Sequence, residues 1–197
     1  MPNEIFAERE QALENEFFYH VDQQLLQNLR HQKILEADGK ALADATGIND
    51  KRILDELITV GIRRETLQAF RLFPAIYVAW CDRVLDTKER DQVLSAVDQA
   101  GFRPDTSSYQ LIAAWLKQPP GPELFAAWKD YVASLSTILS CDAFDNLKSD
   151  ALDRAKKVAQ AAGGVLGIST ISDKERTALM EIEAIFAMGD DPSEVRN

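Results

Sequence analysis

Apolar residues in this chain recur at steps of three, four and seven, and no segment sustains the every-second-residue alternation of a half-buried strand. Such steps put side chains on one face of a helix and would scatter them to both faces of a strand. The one dipeptide suited to closing a hairpin, Asp38-Gly39, is flanked by Ala, Glu, Lys and Leu, all helix formers. The residues therefore specify an all-α fold, a multi-helix bundle with a long N-terminal helix.

That first helix is expected from about Glu4 to Ala37, where Phe6, Leu13, Phe17, Val21, Leu25 and Leu29 form one apolar face. At 1.5 Å per residue it would be roughly 45 Å long, more than a compact domain needs, so it either wraps the body or projects to meet a partner. Phe17, Phe18, Val21 and Leu25 are the candidate partner-binding residues. Asp38-Gly39 is expected to break the helix, with Lys40 to Thr46 a short helical turn closed by Gly47. The chain then divides into the N-terminal helix (1–37), a bundle (38–188) and an acidic tail (189–197).

Within the bundle, Asn49 is the expected N-cap of a helix over Asp50 to Val60 that stops at Gly61, with Ile53, Leu54, Leu57 and Ile58 inward. Arg64 to Phe70 and Phe73 to Asp82 follow, the latter opened by Pro74 and carrying Ile76, Tyr77, Ala79 and Trp80 into the core. Asp86 and Glu89 have capping-box spacing for a helix ending before Gly101, and Asp105 caps the next. Pro119-Pro120-Gly121-Pro122 is the strongest break. Helices over Pro122 to Leu139 and Phe144 to Ala162 come next, then Gly163, Gly164 and Gly167. The last helix, Asp173 to Met188, is capped by Ser172 with Glu175 at its third position. Leu85 to Arg90 matches Ile171 to Arg176 at an offset of 86, either as shared capping grammar or as a repeated helical hairpin.

Composition narrows the function classes. The 197 residues carry 22 Lys+Arg against 32 Asp+Glu, a net charge of −10, which disfavours a phosphate-backbone binder. Gly47 to Phe70 loosely has the form of a helix-turn-helix, yet Asp50, Asp55, Glu56 and Glu65 interrupt Arg52, Arg63, Arg64 and Arg71, leaving no basic face; no nucleic acid is expected. The apolar run from Leu72 to Trp80 is too short to insert in a membrane, and Met1 to Glu4 has no signal-peptide character, so the expected location is cytoplasmic. Cys81 and Cys141 read as small buried hydrophobes. His20 and His31 lie too far apart along one helix to share a metal, and they read as solvent-facing. Trp80, Trp115 and Trp128 read as core.

No phosphate loop, dinucleotide fingerprint or nucleophile elbow is present. The most chemical patch is Trp80 to Glu89, where a tight turn could gather Asp82, Asp86 and Glu89, hard oxygen donors that suit Mg²⁺ or Ca²⁺. Asp86 and Glu89 equally serve as helix cap and capping partner. A metal-dependent enzyme built on these three carboxylates is the alternative reading of the chain.

The segment Val78-Ala79-Trp80-Cys81-Asp82-Arg83-Val84-Leu85-Asp86-Thr87-Lys88-Glu89-Arg90 resembles the tellurite-resistance TerB-like domains. In these an apolar helix ends in Ala-Asp-Gly, followed by an apolar residue, a cap and a Glu-Arg-rich helix. The resemblance covers about residues 66–115 and extends, on the echo at Ser172 to Glu175, toward residue 188. Cys81 and Arg83 stand where the pattern has a small residue and a glycine. The resemblance implies an all-α cytoplasmic bundle associated with stress responses, membrane-associated complexes and divalent cations, with the cation on Asp82, Asp86 and Glu89. A second likeness joins Arg9 to Phe17, Asp22 and Arg30 to the opening helix of zeta-type inhibitors of bacterial ATP synthases. The expected function is that of a non-enzymatic protein-interaction or stress-response scaffold. Its partner, another protein or a second copy of the chain, would be met through the N-terminal helix.

Overall fold

The computed structural model describes residues 23, 25–30, 32–85, 87–99, 101–162 and 171–189, and every regular element among them is a helix. Helix α1 covers 25–30 and 32–46 of the described residues. It is followed by α2 (Lys51–Thr59), α3 (Leu67–Phe70), α4 (Phe73–Ala79), α5 (Thr87–Gln99), α6 (Ser107–Trp115), α7 (Pro122–Ile138), α8 (Cys141–Ala162) and α9 (Asp173–Gly189).

The centre is α4. Pro74 sits at its first turn, where a missing N–H breaks no bond, and Phe73, Pro74, Ala75, Ile76, Val78 and Ala79 are all buried. A helix apolar all round must be enclosed. Here α8 packs along it, α5 flanks α8, and α9 lies against both α4 and α8. Helix α7 seals α9 and reaches α2, while α6 covers α3. Phe73 is the hub of an aromatic cluster, its ring centroid 5.9 Å from Phe70, 6.1 Å from Trp115 and 6.0 Å from Trp128. The chain of rings continues from Trp128 through Phe186 to Phe144 on α8. Trp115 and Trp128 are core residues as expected, whereas Trp80 is half-buried and donates its indole N–H to the Trp115 carbonyl at 2.8 Å.

Local chemistry sets most boundaries. Helix α2 ends in a Schellman motif: Ile62 N–H donates to the Leu57 carbonyl, Gly61 N–H to the Ile58 carbonyl, and Gly61 takes φ +84°. Two expected caps move by one residue. Asp50, not Asn49, caps α2 by accepting from Arg52 N–H, and Thr106, not Asp105, caps α6 by accepting from Tyr109 N–H. Helix α8 starts at Cys141, earlier than Phe144, so Cys141 is exposed rather than buried, and Cys81 is only half-buried.

The clearest departure is at Asp38-Gly39, which lies inside α1 instead of breaking it. Leu35 and Leu42, seven residues apart, both pack on the core, and only an unbroken helix keeps them on one face. Asp38 also accepts from Arg63 Nε at 2.8 Å, and Gly39 lies over Ile58. The helix ends instead at Gly47, with φ +77°. The expected boundary between 37 and 38 therefore falls within a helix. The glycines at 163, 164 and 167 and the tail from 190 lie outside the described residues.

The two glycines of α1 should respond oppositely to alanine. At Gly39 a Cβ would sit 3.9 Å from Ile58 Cδ1, an ordinary contact, so Gly39→Ala is expected to add up to about 1 kcal/mol. At Gly47 the positive φ and Ile138 Cγ2 at 3.3 Å oppose a side chain, so Gly47→Ala is expected to cost about 1–2 kcal/mol. Urea unfolding of the two variants checks both signs.

Candidate functional site

The turn singled out by the sequence joins α4 to α5. Arg83 N–H donates to the Trp80 carbonyl at 2.9 Å, and Asp82 Oδ1 accepts from Val84 N–H at 2.9 Å, closing an Asx turn. Between these two bonds Arg83 takes φ +71°, the only non-glycine residue with positive φ among the described residues. A side chain there costs about 1–2 kcal/mol relative to glycine.

The three candidate metal ligands are placed unequally. Asp82 is exposed and engaged in its own turn, Glu89 is buried in the first turn of α5, and Asp86 lies outside the described residues. Among the described residues no group of three His, Cys, Asp or Glu side chains is arranged to hold a metal ion. Asp82 and Glu89 do not by themselves approach the six or more oxygens that Mg²⁺ or Ca²⁺ requires.

The second copy of the echoed pattern opens α9 and forms a complete capping box. Glu175 Oε2 accepts from Ser172 N–H at 2.6 Å, and Glu175 N–H donates to Ser172 Oγ at 3.2 Å. Glu89 and Glu175, 86 positions apart, are the buried charged side chains among the described residues. Glu175 Oε1 has no hydrogen-bond partner among them. Val93 and Leu179, which match under the same offset, are both buried. The helix pairs α4/α5 and α8/α9 pack against one another.

Cys81 lies within reach of the charges at the starts of both α5 and α9. Burial first, and then the negative charges of Glu175, Asp82 and Glu89, push its thiol up to about 11. Beside it opens a cavity of about 740 Å³ lined by Tyr77, Trp80, Cys81, Arg83, the prolines of the connector and the outer face of α9. Tyr77 donates to Glu181 Oε2 at 2.6 Å across this cavity, and burial together with that bond holds the phenol protonated. Neither Asp82 nor Glu89 lines the cavity. Asp82 and Glu89 therefore do not open onto the concave surface beside them.

The candidate partner-binding residues fall on α1. Leu25 is 55% exposed, whereas Phe17, Phe18 and Val21 lie outside the described residues. The structure adds Leu26, Leu29 and Ile34, all 46–57% exposed. Leu29 belongs to the expected stripe, but Leu26 and Ile34 fall off its spacing. Below this face, α1 and α2 enclose a groove of about 670 Å³ lined by Leu35, Leu54 and Ile58 with Lys40, Lys51 and Asp55 at its edge. His20 and His31 are outside the described residues. No described helix is long and apolar enough to cross a membrane. Compared with known protein families, curated proteins and solved structures, the chain matches none.

Two measurements follow from the turn. Arg83→Gly is expected to raise stability by about 1 kcal/mol by relieving the backbone at φ +71°, read as an increase in the urea midpoint without change in slope. Iodoacetamide at pH 8 should label exposed Cys141 much faster than Cys81, which should react appreciably only as pH approaches 11. The raised thiol also fixes a sign. Its stabilising share is complete below the ordinary thiol range near 8.5 and is lost as pH climbs toward 11.

Proposed function

We propose that this chain is a non-enzymatic, cytoplasmic helical-bundle protein of TerB-like type that works by binding another protein through α1. The observation that carries the reading is the apolar face of that helix. Leu25, Leu26 and Leu29 lie within roughly 100° of one another around the helix and stay about half exposed. Contiguous apolar surface of this kind is covered in use by a partner. A second helix, from a partner or another copy, would bury these leucines and the flank of the groove between α1 and α2.

Two features support the TerB-like part. The α4–α5 turn has positive φ at Arg83, where the resembled pattern has glycine, so the backbone has the form that glycine would serve. Glu89 and Glu175 are both buried at the third position of their helices, α5 and α9, and with Asp82 they bear together on Cys81. Cation responsiveness would fall on Asp82, Asp86 and Glu89.

Leu25→Asp/Leu29→Asp should abolish self-association in sedimentation velocity, or capture of a partner, with helicity and melting temperature unchanged. A wild-type chain that neither self-associates nor captures a partner would overturn the reading, as would a double variant that unfolds because α1 belongs to the core. For the cation, calorimetric titration with Ca²⁺, Mg²⁺ and Mn²⁺ should show saturable binding that Asp82→Ala and Asp86→Ala each lose. A folded wild-type protein without heat of binding would reduce the turn to a helix connection.

A further inference from the structure

Four arginines lie in or beside the segment around α2 and α3, and the structure divides them into two pairs. Arg52 Nη1 is 2.8 Å from Asp130 and 3.6 Å from Glu56, and Arg63 Nε is 2.8 Å from Asp38, so these two tie α2 to α7 and the α2–α3 loop to α1. No carboxylate among the described residues lies within ion-pair distance of Arg64 or Arg71. Both are exposed, and both line one groove of about 620 Å³. In a chain with 32 acidic residues against 22 basic ones, two neighbouring cations without a carboxylate among the described residues need a reason.

The rest of the groove supplies it. Its floor is built by Leu67 from α3, Leu135 and Leu139 at the end of α7, and Leu147 on α8. Asp150 is the one acidic lining residue, and it is already bound to Arg154, 2.9 Å from Nη2. Tyr131, Leu135 and Leu139 recur at four-residue steps, so the α7 wall runs about 12 Å. That is a little over two turns of an accommodated helix. Small-molecule sites enclose most of their ligand, whereas this groove lies between exposed helix faces and offers leucines at helical spacing below a cationic rim.

We propose that the Arg64/Arg71 groove binds a short acidic amphipathic helix of a partner protein, its apolar side chains on Leu67, Leu135, Leu139 and Leu147 and its carboxylates on the two arginines. Helix-in-groove recognition uses apolar anchors at these spacings, and arginine–carboxylate pairs add direction and charge. The overall negative charge of the chain repels acidic segments in general. Affinity must then come from the local arginine pair and the leucines acting together, which selects partners carrying both features. Ala45 and Thr46 at the end of α1 also line the groove, whereas Leu25, Leu26 and Leu29 do not, so the site does not depend on the leucine face proposed above.

The test is selection of a phage-displayed library of random peptides about 16 residues long on the full-length protein, ample for the groove. Enriched peptides should be acidic, with leucine, isoleucine or phenylalanine at three- and four-residue steps. A synthetic copy of one should bind the protein in fluorescence anisotropy. Arg64→Glu/Arg71→Glu should weaken its binding at least roughly tenfold, with the melting temperature unchanged since neither arginine holds an ion pair among the described residues. Leu139→Lys should do the same from the apolar side, and Leu25→Asp/Leu29→Asp should leave the affinity as it was, which separates this site from the α1 reading. Failure to enrich any peptide, enrichment of neutral or basic ones, or equal binding to the arginine variant would overturn the proposal. Arginine-dependent binding to phosphatidylserine vesicles without acidic peptide enrichment would overturn it too, assigning the groove to a membrane surface.

Discussion

The structure depends on enclosing α4. Seven residues long, with six of them buried, this helix reaches the surface only through Tyr77, and isolated it would be far too short to persist. Its stability comes from neighbours: α8 along it, α9 and α5 at its flanks, and the aromatic cluster around Phe73 that links it to α6 and α7. Because one short element is wrapped by helices from both halves of the chain, the bundle from α2 to α9 has one continuous core, and Phe70, Phe73, Ile76 and Phe186 are all fully buried within it.

The enclosure explains the position of the two buried glutamates. Both lie in the first turn of a helix, α5 and α9, whose leading N–H groups have no partner within the helix. At α9 the carboxylate of Glu175 solves this by turning back onto Ser172 N–H. That solution brings a buried negative charge with it, and the half-buried thiol of Cys81 registers the charge as a raised affinity for its proton. A capping device and a locally negative interior are thus one arrangement seen from two sides.

What could be read from the residues alone follows the range of the forces involved. Proline at the start of α4, the Ser172/Glu175 box and the stops at Gly47 and Gly61 are local, and each appears where its side-chain chemistry places it. The caps at Asp50 and Thr106 were ambiguous by one residue. Asn49 and Asp105 carry equally suitable oxygens, and only the backbone direction chooses between neighbours. The break at Asp38-Gly39 was misleading because Leu35 and Leu42, held by the core, outweigh the cost of about 1 kcal/mol for glycine in a helix. Of the candidate site, Leu25 and Leu29 were legible as part of an apolar stripe that would either wrap the body or meet a partner, whereas Leu26 and Ile34 fall off that spacing. The opening of the cavity beside Cys81 away from Asp82 was not legible, since its walls come from α4, the proline connector and α9, about a hundred residues apart.

The same distinction applies to charge. A sequence shows Arg52, Arg63, Arg64 and Arg71 as four similar cations interrupted by acids. Folding spends Arg52 and Arg63 on distant carboxylates, because α2 is brought against α7 and the following loop against α1. Arg64 and Arg71, without a carboxylate partner among the described residues, line a groove with a leucine floor to which three separate helices contribute. An exposed ion pair adds little stability, so folding gains little from pairing every cation and loses little by leaving two unpaired. Cations left unpaired over apolar surface are available to a ligand that brings carboxylates and hydrocarbon together. In a bundle whose interior is filled by rings and aliphatic side chains, such surfaces, rather than an interior pocket, are where recognition can act.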